Sequence, residues 1–338
     1  MNRQEHLHLF LKEINLEKGI LAILVVVFLV GALLNPRFLT SRNIMRMLSD
    51  ASAYIPMAIG MTFVIVSGGI DLSVGSVLAI TSSLFGYLVV VGGWNVLSAL
   101  TLVLLFGAFI GFLNGILITK LFLPPFITTL GTLSIFRGLA WLIFEGQVFF
   151  AFPEPIQLVG WGRLLGIPVI IIIALVIIIG AWLVFQKMRY GRYLQAIGGN
   201  SQAALLFGIP VERVLISSYT LMGFLTAVSG FLILARTDAV QATVGVGMEF
   251  FIIAAVVLGG TSLIGGKGSV LSSVLGMIIL TSVPNMMILG GISFKAEQII
   301  VGGLILFALL IYSNKVKYLM DRMLQKKKVG VGSDKIAK

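Results

Sequence analysis

Residues 51–119 contain a single charged side chain, Asp71, in an otherwise apolar stretch. Water-soluble cores are not built this way: about 20 uncharged apolar residues already match the ~30 Å hydrocarbon layer of a bilayer, and this stretch is several times that length. Inside lipid a segment must satisfy its own backbone hydrogen bonds, so such runs have to fold as membrane-spanning helices. Asp71 lies within GMTFVIVSGGIDLSVGSVLA (60–79), where two of these runs meet. Gly68 and Gly69 allow backbone angles closed to other residues, and Asp and Ser are favourable N-caps. One helix is therefore expected to end at Ser67 and another to start near Asp71. Two roles are open to the carboxylate. It caps a turn at the membrane surface, or a broken helix exposes it to a polar path.

Composition points the same way, with 58% hydrophobic and 11% charged residues, against roughly 25% charged in soluble domains. The expected architecture is an all-α membrane protein of about ten spans. A single membrane domain, residues 19–313, lies between an N-terminal tail (1–18) and a basic tail (314–338). The spans are placed at Gly19–Leu34, Ala51–Ser67, two within Leu72–Thr119 divided at Gly92-Gly93-Trp94-Asn95, Phe126–Phe144, Pro168–Gln186, Val214–Ala235, Phe250–Ile264, Ser269–Leu289 and Ala296–Ser313. Arg37 to Asp50 is read as a polar amphipathic segment outside the second span.

An even number of spans puts both termini on one side. That side collects Arg3, Lys12, Lys18, Lys120, Lys187, Arg189, Arg192, Arg213, Lys267 and the lysines of the tail, whereas Arg37, Arg42, Arg46, Arg163, Arg236 and Lys295 fall opposite. The richer side is the cytoplasmic one by the positive-inside rule, which also accounts for the +11 formal charge without nucleic acid as a partner. Met1 to Lys18 reads as a tail and not a signal peptide, since no small-residue cleavage site follows. The absence of cysteine excludes disulfides, thiolate catalysis and Cys-based metal centres, and His6 and His8 make a weak pair, so no metal site is expected.

Few residues bear on chemistry. GTSLIGGKG (260–268) superficially suggests a phosphate loop, but the spacing before Gly266-Lys267 is one residue too long, and Gly268 stands where a Ser or Thr is required. Any ATP must therefore be handled by another chain. In KMRYGRYLQAIGGNSQAALLFGIPVER (187–213), Asn200 or Ser201 can cap a short helix over Gln202–Phe207 that Gly208 and Pro210 stop. Leu205, Leu206 and Phe207 on it must pack either on this chain or on a partner. Arg137, within the fifth span, has carbonyls, an acid, headgroups or a pathway within its reach. Glu249 opens the eighth span, where a carboxylate favours the helix dipole. Phe149, Phe150, Phe152 and Trp161 read as an interfacial belt, a sugar platform or a docking surface.

Three blocks, GMTFVIVSGGIDLSVGSVLA (60–79), YGRYLQAIGGNSQAALLFGI (190–209) and MEFFIIAAVVLGGTSLIGGKGS (248–269), taken together closely resemble the membrane permease subunits of bacterial ribose-type ABC importers, which also serve xylose, galactose and the furanose-like autoinducer. The resemblance implies a type II importer permease fold and a second permease chain, identical or paralogous. It also implies cytoplasmic ATPases that hold ATP and Mg, an external sugar-binding protein and residence in the bacterial plasma membrane. Residue by residue it carries over Gly68, Gly69, Asp71, Ser73 and Gly75, then Gly198, Gly199 and Asn200, then Glu249, Gly259, Gly260, Gly265 and Gly266. None of these is a catalytic motif. A membrane-embedded transferase would need convergent acids and bases, whereas Asp71, Arg137 and Glu249 stand one per segment. An ion-coupled secondary transporter would need several intramembrane carboxylates. The expected function is a non-catalytic permease subunit for a monosaccharide.

Overall fold

The computed structural model describes residues 3–291, 299, 302 and 303, those before residue 19 as backbone only. The tenth span and the basic tail lie outside the described residues. Among the described residues seven helices are long and apolar enough to cross a membrane. They are α2 (Ser41–Val66), α3 (Val74–Gly86, continued by a π-helical turn Tyr87–Val91), α4 (Val96–Lys120), α5 (Pro125–Phe144), α7 (Val169–Lys187), α10 (Val211–Thr237) and α12 (Val270–Leu289). Two shorter apolar stretches join them, Gly19–Leu34 within α1 (Arg3–Leu34) and α11 (Met248–Leu258). The segment read as an N-terminal tail thus continues the first helix, and the amphipathic segment before the second span supplies the first turns of α2.

The remaining elements are short: β1 (Val148–Phe150), α6 (Glu154–Trp161), β2 (Arg163–Leu164), β3 (Ile167–Pro168), α8 (Arg189–Gly199), α9 (Ser201–Leu206) and β4 (Ala239–Gln241). β1 pairs antiparallel with β4 and β2 with β3, so two small strand pairs are added to the all-helical plan at the loops. Phe149 and Phe152 are buried beside them, Phe149 against Phe144 and Tyr87, Phe152 against Phe85. Only Phe150 and Trp161 keep the exposure an interfacial belt requires; the two buried rings are core residues, because the β1–β4 pair folds them inward.

α2 and α10 form the centre of the bundle. The seam between α4 and α10 is made by small residues. Gly107, Gly111 and Gly115 recur every fourth position and face Gly223, Tyr219 and Ile216 of α10, and a Cβ on Gly107 would lie 2.6 Å from the Gly223 carbonyl. Lipid offers no hydrophobic drive for helices to associate, so close backbone approach and dispersion supply the stability here. Pro56 interrupts α2, and α10 compensates: Ser229 Oγ accepts the Met57 N–H at 3.1 Å. Thr62 donates to Ser273 Oγ at 2.8 Å, which ties α2 to α12.

Candidate functional site

Asp71 is 2% exposed, so it is not on a turn at the surface. α2 ends at Val66, and the chain closes in a turn in which the Gly69 N–H reaches the Val64 carbonyl, with Gly68 at φ +88°. α3 starts only at Val74, three residues later than the cap reading places it, and its N-cap position is Ser73. Asp71 acts one step earlier: its Oδ1 accepts the Ser73 N–H at 2.9 Å and the Ser73 hydroxyl at 2.6 Å. Asn114 of α4 donates to the same hydroxyl at 3.0 Å, and the Tyr219 ring hydroxyl of α10 presses on Gly69. Asn114 lies six residues before the end of α4, about 9 Å inside the bundle at 1.5 Å per residue. The unwound stretch 67–73 is therefore held at depth by side chains from two other helices, as non-helical backbone inside a membrane must be.

A second unwound stretch enters from the other end. α11 begins at Met248 and its eleven residues span about 16 Å, too short for the crossing expected over Phe250–Ile264. Residues 242–247 supply the missing depth as turns, with Gly245 and Gly247 both at φ +77°. Their carbonyls need donors, and Arg137 of α5 provides them, Nη1 donating to Ala242 at 3.0 Å and to Val244 at 2.8 Å. Glu249 is buried in the first turn of α11, and its Oε2 has no hydrogen-bond partner among the described residues. Both charged side chains converge on the α-carbon of Gly75, in the first turn of α3, where the Gly245 carbonyl also approaches. The starts of α3 and α11 thus meet inside the bundle, with Asp71 and Ser73 on one side of the meeting point and Arg137 and Glu249 on the other.

The glycine blocks converge at the end of the bundle that carries Lys120, Lys187, Arg213 and Lys267. Gly266 donates its N–H to the Val66 carbonyl at 2.9 Å. A Cβ on Gly265 would lie 3.0 Å from the α-carbon of Gly68 and 2.8 Å from the Gly198 carbonyl. A Cβ on Gly198 would in turn collide with Val66. Three turns pack backbone to backbone here, which side chains would prevent. The segment 260–268 is thus the third member of this junction. Gly260, at φ +87°, ends α11 with the same hydrogen-bond pattern that Gly68 and Gly69 give α2, and Gly259 lets α11 approach Ser272 of α12.

From this junction α9 projects. The Asn200 side chain caps it, accepting the Ala203 N–H at 2.9 Å, while Ser201 is its first residue and Gly208, at φ +77°, terminates it. Gly199 next to the cap has open space around it. Ala204 is buried and seats the helix, whereas Leu205, Leu206 and Phe207 are 64%, 88% and 87% exposed. Among the described residues none covers these three side chains. Ser217 of α10 donates to the Tyr190 hydroxyl of α8 at 3.0 Å, so the arm that carries α9 is fixed to the central helix.

Sequence reading missed the α4 glycines, although their spacing of four was visible, and missed the pairing of Asn114 with Ser73, which no local pattern announces. Residues 43–309 match the family model of the branched-chain amino acid transport system / permease component. The ribose import permease protein of Escherichia coli K12 is 38% identical over 303 residues, 88% of this chain and 94% of the relative. That of Bacillus subtilis is 40% identical over 294 residues, 86% and 91% of the two chains. The D-allose transport system permease protein of Escherichia coli K12 is 34% identical over 289 residues, 86% and 88%. No solved structure matches.

Proposed function

The chain belongs to the branched-chain amino acid transport system / permease component family, and we propose that it is the permease subunit of an ATP-driven importer whose cargo is a monosaccharide of the ribose or allose type. It is a multi-pass membrane protein and a non-catalytic component. The sugar reading rests on relatives at 34–40% identity over most of their length, named for ribose and allose, and not on the amino acid in the family's description. Without a nucleotide loop of its own, the chain must receive work from a partner, and the observation that carries this is the exposed apolar triplet on the capped helix α9. Placed in the cytoplasm with both termini, Gly198–Gly208 is the coupling element that seats in an ATPase subunit. The glycine junction behind it transmits displacement to α2 and to the loop before α12, since turns in backbone contact cannot move independently. Asp71, Ser73, Gly75, Arg137 and Glu249 hold the two unwound stretches that such movement would rearrange, and they border the path.

The partners in this reading are a second permease chain, cytoplasmic ATPases that carry ATP and Mg, an external sugar-binding protein and the bilayer of the bacterial plasma membrane. The test is transport of labelled ribose, allose and leucine by the complex reconstituted in vesicles with its ATPase and binding protein. ATP-dependent uptake of a pentose or hexose is expected. Uptake of leucine alone, or sugar uptake driven by an ion gradient without ATP, would reject the proposal.

A further inference from the structure

At the opposite end of the bundle from the glycine junction, four guanidinium groups line one cavity of about 480 Å³: Arg42 and Arg46 of α2, Arg163 of β2 and Arg236 of α10. The six bases that the sequence places on this side should be scattered if they were incidental, since this is the side that membrane proteins keep poor in Lys and Arg. Most of them are gathered instead. One carboxylate, Asp50, shares the cavity, and it is occupied by Arg236, whose Nε lies 2.9 Å from Oδ1 and whose guanidinium stacks 4.5 Å from the centre of the Trp161 ring. Arg46 reaches Asp50 only at 4.0 Å, and among the described residues Arg42 and Arg163 have no acidic partner. The cavity is thus left with an excess of planar donors of the kind that match a phosphate oxygen pair.

The surroundings show from where that phosphate would come. β2 and β3 form a hairpin whose tip exposes Leu164 and Leu165, and β3 runs without a break into α7. That helix carries no charge from Val169 to Gln186 and buries only Ile170, Ala174 and Phe185, so its flank faces hydrocarbon. Trp161 on the rim is exposed, as interfacial tryptophans are. We propose that this cavity holds the phosphate of an anionic phospholipid headgroup, with the acyl chains lying on the hairpin tip and α7. The site lies apart from the sugar path and does not depend on which solute is carried.

The test uses the purified full-length chain in a neutral maltoside detergent, its thermal midpoint followed during titration with phosphatidylglycerol, phosphatidylcholine or glycerol phosphate. Phosphatidylglycerol is expected to raise the midpoint and phosphatidylcholine to leave it unchanged. Arg42→Gln with Arg163→Gln should require about tenfold more phosphatidylglycerol for the same rise, the scale of losing charge-assisted hydrogen bonds. If that pair melts low in detergent alone, Arg42→Lys with Arg163→Lys keeps the charge, removes the bidentate geometry and should shift the titration in the same direction by less. Equal responses to the two lipids, or an unshifted titration in both double variants, overturns the proposal. An equal rise with glycerol phosphate would assign the cavity to a soluble phosphate and overturn the lipid. Loss of binding-protein-dependent transport by the Gln pair in vesicles of phosphatidylcholine alone would make it a protein dock, with the same consequence.

Discussion

Two of the glycine pairs that precede capping residues lie against each other: Gly68-Gly69 precedes Asp71 and Ser73, and Gly198-Gly199 precedes Asn200 and Ser201. The local code is nearly the same. Their surroundings are opposite. Asp71 and Ser73 are 2% and 1% exposed and form a chain of hydrogen bonds that ends on Asn114 of another helix, whereas α9 and its C-cap carry three exposed apolar side chains. In the buried case each polar group depends on its neighbour, because a donor without an acceptor there has no water to turn to. In the exposed case the fold gains nothing from Leu205, Leu206 and Phe207, so a partner surface is what would account for them. One start is therefore expected to matter for the permease itself and the other for its assembly.

The largest effect should come from Asp71→Leu, which leaves the Ser73 N–H and hydroxyl without their acceptor in a buried site. We predict a loss of about 3 kcal/mol or more, built from 1–3 kcal/mol per abandoned group, seen as a lower melting temperature of the detergent-solubilised chain and loss of transport. Asp71→Asn keeps an oxygen for both donors and should be mild. A Leu variant that melts and transports like wild type would place Asp71 in the same class as the exposed start.

Replacing Leu205, Leu206 and Phe207 together by Ala should do the converse. The melting temperature of the isolated chain is expected to stay unchanged, while binding of the ATPase weakens by ~2 kcal/mol or more, read by co-purification and by sugar-stimulated hydrolysis. Full recovery of the ATPase with wild-type stimulation would remove α9 as the coupling element. A cysteine introduced at position 201 should resist impermeant reagents added outside intact cells. Labelling from outside would invert the orientation on which this half of the comparison depends.

Smaller effects sharpen the contrast. Asn200→Ala removes the observed cap and should cost about 1 kcal/mol of local helix stability, measured as partial loss of ATPase stimulation with little change in global melting. Ser201→Ala should stay within ~0.5 kcal/mol, since the Ser201 side chain does not make the cap hydrogen bond and an exposed substitution of this kind is usually neutral. If Ser201→Ala proved the more damaging of the two, the cap would belong to the hydroxyl in the assembled complex.

The contrast also marks how far the sequence could be read. The turn at Gly68-Gly69 and the short helix expected over Gln202–Phe207, found at Ser201–Leu206, were legible because they depend on residues a few positions apart: glycines where left-handed angles are needed, and an Asn whose oxygen reaches its own helix. Arg137 was legible only as a charge in a span. Which of its several candidate partners it meets depended on residues 242–247, whose unwinding a hydropathy window cannot register, and so the eighth crossing was drawn over Phe250–Ile264 instead of α11. Phe149 and Phe152 read in the sequence as part of an interfacial belt, a sugar platform or a docking surface, whereas the fold buries both beside a strand pair with a segment some 90 residues away.

What the sequence determined by itself is everything governed by transfer from water to hydrocarbon and by short-range backbone geometry: a helical membrane bundle, its principal crossings, its glycine turns and the family motifs. These follow from the cost of burying charge and unpaired backbone, which each segment incurs alone. The tertiary structure decided which turns meet, that Gly68, Gly198 and Gly265 share one junction, that the starts of α3 and α11 face each other across Gly75, and that Leu205, Leu206 and Phe207 stay uncovered. Those outcomes depend on close packing between distant segments, where a single added Cβ would clash, and no local pattern encodes which partner will be there.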